Sequence, residues 1–238
     1  MALPIPIIVA VGVGIGVLGG GAAAAYWKWD EIRAFLQGRE FGVLGARQVG
    51  KTTLLQFLRT GKIDSSYRPT LAPEEVEVSH QVLGRQGNHG KKPITITVKE
   101  GIDVSGNKAA YASWQRVAKS ADILLYLFRA DLILQKDDEL VERMKADASQ
   151  MRKWLKKRGD DRPLVYLIGT HCDLDDDFDK VEDEEAVEYY LDTFGDNPAI
   201  KDAARKTKAD AVILGSLIDE ARARGLVFQL FQHIETAS

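Results

Sequence analysis

Apolar and polar positions change rhythm along the chain, and each rhythm predicts an element. Ala2 to Trp27 has no rhythm: it carries no charged side chain, and the first is Lys28. An uncharged run longer than the ~20 apolar residues that cross a bilayer predicts one transmembrane helix. Tyr26, Trp27 and Trp29 at its far edge suit the membrane interface. Lys28, Arg33 and Arg39 follow, so the positive-inside bias sends the rest of the chain to the cytoplasm. Ile94, Ile96 and Val98 alternate with Thr95, Thr97 and Lys99, the period of a half-buried strand. Glu75–Val78, continuing to Leu83, precedes it across a Gly- and Lys-rich turn at 84–92, which reads as a hairpin. Glu40–Leu44 is a short apolar strand, while Ala121–Phe128, Leu164–Gly169 and Ala211–Gly215 are nearly continuous apolar runs, as strands covered on both faces require.

Helical spacing fills the intervals. It joins Leu54, Leu55 and Leu58, then Ala110, Trp114 and Val117. Leu140, Met144, Met151 and Leu155 mark one face of a long charged helix over Lys136–Arg158. Val187, Tyr190, Leu191 and Phe194 mark another helix, and Val227, Leu230, Phe231 and Ile234 the last. The alternation predicts an α/β fold: a six-stranded, mostly parallel sheet with helices on both faces, preceded by one transmembrane helix. Three segments follow: an anchor at 1–29, a juxtamembrane linker at 30–38 and one domain at 39–238.

Composition narrows the partners. Lys and Arg number 32 against 35 Asp and Glu, a net charge of −3, which gives no general electrostatic case for nucleic acid. The one cysteine, Cys172, excludes an intrachain disulfide framework and a Cys-rich zinc site. Gly12, Gly16 and Gly20 form two overlapping G-x-x-x-G steps, which permit self-association within a bilayer. Gly14 to Gly19 also fits G-x-G-x-x-G by letter, but Gly20, Gly21 and four alanines follow in place of an amphipathic helix.

The candidate chemistry begins after the first strand. Gly45-Ala46-Arg47-Gln48-Val49-Gly50-Lys51-Thr52 fits G-x-x-x-x-G-K-[ST] in full, with a strand before it and a helix from Thr53 after it. Gly45 and Gly50 let the backbone bend so that its N–H groups surround phosphates. The helix N-terminus adds positive potential, Lys51 a mobile charge for the terminal phosphates, and the Thr52 hydroxyl a ligand for Mg²⁺.

Beyond this loop the sequence resembles the small GTPases of the Ras and Arf type, over about residues 39 to 234. The resemblance implies GTP and GDP as ligands, Mg²⁺ as cofactor, a Ras-like domain and an effector or activating protein as partner. It makes Thr70 the first switch threonine, sensing Mg²⁺ and the γ-phosphate. Asp103 and Gly106 match D-x-x-G, in which the Asp holds a Mg²⁺-bound water and the Gly backbone senses the γ-phosphate. The register is open at this point, because Glu100 is a competing acidic position without a glycine at the right distance. Thr170-His171-Cys172-Asp173 matches the guanine motif N/T-K-x-D, and Ser216-Leu217 matches the S-A of the last base-contacting loop. The Asp173 carboxylate can accept two hydrogen bonds from the N1–H and amine of guanine, a donor pair that adenine lacks.

Departures from the family pattern shape the expected activity. His171 stands where the family has a lysine, which implies weaker nucleotide affinity. Asn107 replaces the glutamine that orients attacking water, one methylene short, which implies slow intrinsic hydrolysis with Asn107, Lys51 and Gly106 as the catalytic set. Arg47 occupies a position that is Gly in Ras, and solvent is its simplest environment. The expectation is a membrane-tethered switch that slowly hydrolyses GTP, its domain in the cytoplasm. The alternative is a nucleotide-binding membrane scaffold with negligible turnover.

Overall fold

A computed structural model describes residues 9–11, 36–63, 74–78, 94–100, 108–177 and 192–236, and the structural account concerns these. The strands are β1 (Val9–Val11), β2 (Glu40–Gly45), β3 (Glu74–Val78), β4 (Ile94–Glu100), β5 (Ile123–Arg129), β6 (Leu164–Thr170) and β7 (Ala211–Leu214). They form one seven-stranded sheet in the order β1-β7-β6-β5-β2-β4-β3. Five strands, β7-β6-β5-β2-β4, make an all-parallel core. β1 extends it in parallel beside β7, and β3 closes the other edge antiparallel to β4, as the hairpin pattern predicts.

Two expectations are corrected here. The sheet has seven strands rather than six, because the extra one comes from the N-terminal apolar segment. Val9–Val11, within the span expected to be one uninterrupted helix, pair with Val212–Leu214 as a strand. The rest of the expected anchor lies outside the described residues, apart from that strand. Among the described residues no helix is long and apolar enough to cross a membrane.

The helices are α1 (Lys51–Thr60), α2 (Lys108–Ser120), α3 (Ala130–Leu134), α4 (Asp138–Lys156), α5 (Pro198–Thr207) and α6 (Glu220–Thr236). Strand alternation sorts them onto two faces. In β5, Ile123, Leu125 and Leu127 point to the layer that holds Leu54, Phe57 and Leu58 of α1 with Leu226, Leu230 and Phe231 of α6. Leu124, Tyr126 and Phe128 point to the other layer, against Trp114 of α2, Met144 and Met151 of α4 and Ile200 of α5. β6 and β7 divide in the same way, which is why their sequences read as unbroken apolar runs. The core also reaches back to Leu36, which is fully buried in the α1–α6 layer.

The helix expected over Lys136–Arg158 is α4, one continuous helix within those bounds. α3 is a separate short helix before it, and Asp137 caps α4 by accepting a hydrogen bond from the Leu140 amide at 2.9 Å. Helical residues 192–196 stop at Asn197, whose side chain accepts from Ala199 and Ile200 and starts α5 with Pro198 in its first turn. The sequence carries that start signal in Asn197-Pro198, although the apolar spacing did not single out α5.

A buried polar cluster fastens the α2–α4 layer. Asp147, fully buried on α4, accepts from Tyr111 of α2 at 2.8 Å, Tyr126 of β5 at 3.0 Å and Arg143 Nε at 2.9 Å. Burial raises the Asp147 pKa above the ordinary carboxylate value, opposed by the Arg143 charge and the three hydrogen bonds. Arg143 also lies over the Trp114 ring, 5.7 Å from its centroid. Removing the carboxylate strands a buried phenol and a guanidinium, and breaking such an ion pair costs about 3 kcal/mol or more. Asp147→Ala is therefore expected to lower unfolding free energy by about that amount in urea titration. A loss within ~0.5 kcal/mol, the range of ordinary surface substitutions, would show that the cluster does not fasten the layer.

Candidate functional site

The parallel strands bring the motif loops to one end of the sheet. β2 ends at Gly45, paired with Leu127; β5 ends at Arg129, paired with Thr170; and Gly169 of β6 pairs with Leu214 of β7. The loops after β2, β6 and β7 thus meet at the C-terminal edge, where open α/β sheets bind ligands.

The phosphate loop is tight. A Cβ at Gly45, whose φ is +144°, would lie 2.5 Å from the Leu127 carbonyl oxygen. Gly50, with φ +83°, sits at the N-cap of α1, and a Cβ there would lie 2.8 Å from Leu217 Cδ1. No side chain caps α1, so its first-turn amides are not engaged in that way. Gln48 adopts φ 61°, an uncommon left-handed conformation for a residue with a side chain. Lys51 is largely buried, and its Nζ donates to the carbonyls of Gly45 at 2.8 Å and Ala46 at 2.7 Å, folding the ammonium over the loop. Ala46, Gly50, Thr52 and Thr53 are half-buried, Val49 is buried, and Arg47 and Gln48 are exposed, as expected of Arg47.

The second loop is tied to the first. Thr170 is fully buried, and its hydroxyl donates toward the carbonyls of Val49 at 3.0 Å and Phe128 at 3.1 Å. Thr170 is thus a positioning residue that joins the loop after β2 to the loop after β6. His171 Nδ1 lies 2.8 Å from the same hydroxyl oxygen. With the hydroxyl proton directed at carbonyls, Nδ1 carries the ring proton and donates, which leaves Nε2 as an acceptor. Burial lowers the His171 pKa below 6.5, and the nearby Arg129 charge lowers it further. The ring is therefore neutral at pH 7. Where the family has a cation, this chain presents a neutral imidazole held at φ 60°.

The carboxylate expected to read the base is also held. Ser216, fully buried, donates its hydroxyl to Asp173 Oδ1, and Ser216 Oγ itself accepts from the Ile218 amide at 3.1 Å. Cys172 N donates to Gly215 O at 3.2 Å, binding the two loops through their backbones. Leu217 packs beneath Gly50, while Leu174 and Ile218 stand 52% and 60% exposed on the two base-side loops. Two apolar side chains in solvent beside a held carboxylate suit the faces of a flat heterocycle. Sequence reasoning did not single out Arg129, whose guanidinium pairs with Asp131 and whose charge bears on both His171 and Asp173. Its only signal was a basic residue ending a buried strand.

Thr70, Asp103, Gly106 and Asn107 lie outside the described residues. The described chain stops at Glu100, opposite Val43 of the phosphate-loop strand, and resumes at Lys108 at the start of α2. Among the described residues no cluster of three or more His, Cys, Asp or Glu side chains is gathered for a metal ion. The half-buried Thr52 hydroxyl in the first turn of α1 fits Mg²⁺ all the same, since this ion takes few protein ligands and completes its shell with phosphate and water.

No family model matches the chain, and a search of curated proteins returns no relative.

The Thr170 link supplies a test. Thr170→Val keeps the shape and removes the hydroxyl that holds Val49. A hydrogen bond of this kind contributes about 1 kcal/mol or somewhat more. Unfolding free energy is expected to fall by about that amount in urea titration. An unchanged value would mean that the two loops are aligned without this bond.

Proposed function

We propose that this chain is a membrane-tethered guanine-nucleotide-binding protein that binds GTP and GDP with Mg²⁺ and hydrolyses GTP slowly. The observation that carries the reading is the convergence of a complete phosphate loop with Asp173, held by Ser216, through the shared Thr170 bridge. The loop amides and the N-terminus of α1 would receive the β- and γ-phosphates. Lys51 would exchange its two carbonyl partners for phosphate oxygens, and Thr52 would hold Mg²⁺, with Thr70 and Asp103 completing its environment. Bound Mg²⁺ neutralises charge on the phosphates. Asp173 would accept from the guanine edge, and the penalty for leaving that carboxylate unpaired would exclude adenine. Asn107 would orient the attacking water beside Gly106.

The tether rests on the uncharged Ala2–Trp27 segment and the aromatic and basic residues that follow. A helix spanning it and the β1–β7 pairing are exclusive at Val9–Val11, so the tethered form leaves β7 as the sheet edge. That exchange is small. A three-residue pairing involves few hydrogen bonds, each contributing about 1 kcal/mol net, whereas a span transfers many apolar side chains into hydrocarbon.

The second reading, a nucleotide-binding scaffold with negligible turnover, draws on the neutral His171 in the lysine position. Single-turnover hydrolysis separates the two. Asn107→Gln is expected to raise the rate, and a tenfold gain would correspond to about 1.4 kcal/mol of barrier. Absence of turnover in both forms, with GTP bound, would favour the scaffold.

Base reading has its own test. Asp173→Asn should weaken GTP more than xanthosine triphosphate, because an amide can donate to the carbonyl that xanthine carries where guanine has an amine. Equal responses in competition binding would remove Asp173 as the base reader. Lys51→Ala should abolish most affinity for either nucleotide, by loss of the compact charge at the phosphates.

A further inference from the structure

The end of the sheet away from the phosphate loop holds a cavity of about 590 Å³, where the C-terminal turns of α4 and α5 meet the approaches to β6 and β7. Arg152, Lys156, Arg162, Arg205, Lys206 and Lys208 line it. The one carboxylate in the lining is Asp160.

Half of these cations are committed within the fold. Arg162 pairs with Asp210 at 3.0 Å, and Arg205 and Lys206 pair with Asp202 at 2.7 and 2.6 Å. The other three, Arg152, Lys156 and Lys208, are exposed and have no carboxylate partner among the described residues. Helix dipoles do not account for them. Two helix C-termini present about one unit of negative charge together, and three uncompensated cations exceed it. Lys208 is also fixed in place: it caps α5 at φ 52°, and its carbonyl accepts from Arg162 Nη2 at 2.6 Å.

Chain connectivity says what faces this end. β2 runs parallel to β5, β6 and β7, so the chain enters the sheet at Glu40 on the cavity's side of the domain. Leu36 is already buried, which leaves residues 30–35 between the core and an anchor ending at Trp29. Six residues reach at most about 20 Å when fully extended. A domain tethered in this way is held with its basic end beside the bilayer.

We propose that this basic cavity docks on the phosphate-bearing headgroups of an anionic leaflet, orienting the nucleotide site away from the membrane. The inference rests on the membrane-tethered reading. The two sites lie at opposite ends of the sheet, so headgroups and nucleotide bind together.

The test uses the full chain reconstituted in vesicles of phosphatidylcholine alone or with phosphatidylglycerol added. The readout is the acetylation rate of Lys156 and Lys208 by mass spectrometry, with exposed Lys136 at the nucleotide end as reference. Anionic vesicles are expected to slow both lysines about fivefold relative to neutral ones, the factor set by roughly 1 kcal/mol per basic residue at such a surface. Lys136 should be unaffected. In Arg152→Glu/Lys208→Glu the protection of Lys156 should disappear while nucleotide binding persists. The charge-neutral pair Arg152→Gln/Lys208→Gln serves if the reversal does not fold.

Equal labelling in the two vesicle types, or protection of Lys156 that survives the double variant, overturns the docking. Protection by inorganic pyrophosphate with neutral vesicles, and none from phosphatidylglycerol, assigns the cavity to a soluble anion and also overturns it. Failure of the chain to stay with neutral vesicles after carbonate washing removes the tether and the docking with it. Retention on the vesicles without protection removes the docking alone.

Discussion

The chain has almost no room where the phosphate loop passes the end of β5. A Cβ at Gly45 would lie 2.5 Å from the Leu127 carbonyl, and one at Gly50 would lie 2.8 Å from Leu217. These two positions also need backbone angles that residues with side chains rarely adopt. The absence of two Cβ atoms lets the loop lie against the end of β5 and against Leu217 in the loop after β7. Lys51 can then fold back over it, and Val49 comes within reach of the Thr170 hydroxyl. The loops after β6 and β7, already bonded to each other, are registered through Thr170 against the loop after β2.

The electrostatics of the domain divide along the strand direction. At the C-terminal edge, a buried lysine lies over a loop of amides, next to a neutral histidine and a held carboxylate. At the opposite edge, long cationic side chains surround an open cavity. The net charge of −3 does not reveal this separation, because it sums all 32 Lys and Arg against all 35 Asp and Glu. His171 also links the site to pH. Its lowered pKa means that the unfolded chain takes up the proton first, so its stabilising contribution is complete above 6.5 and is lost as pH falls below that value. His233, whose pKa burial also lowers, acts with the same sign.

Much of the fold could be read from the sequence because the central strands are buried on both faces. Apolar runs such as Ile123–Phe128 leave no other reading, and the eight residues from Gly45 to Thr52 fix a strand, a loop and a helix together. The motifs that contain Asp173 and Ser216, 43 residues apart, marked two loops that the fold brings together, though not the bond between these two side chains. Other features gave weaker signals. β1 is three residues within a uniformly apolar stretch, where an edge strand and a membrane span have the same composition. α5 follows a helical stretch so closely that one cap residue, Asn197, separates them. The structural role of Thr170 was hidden because a threonine in a binding motif reads as a ligand contact, and only the fold brings Val49 and Phe128 to its hydroxyl.

The bond between Tyr111 and Asp147 has a mechanical consequence. α2 begins at Lys108, immediately after Asn107, and Tyr111 lies one turn into the helix. Its ring is also wedged edge-on against Trp114 and Trp154, at 5.9 and 6.1 Å. The helix is therefore clamped at its second turn. Force along the axis of α2 is met at Tyr111, through which the helix bears on Asp147 and Trp154 of α4.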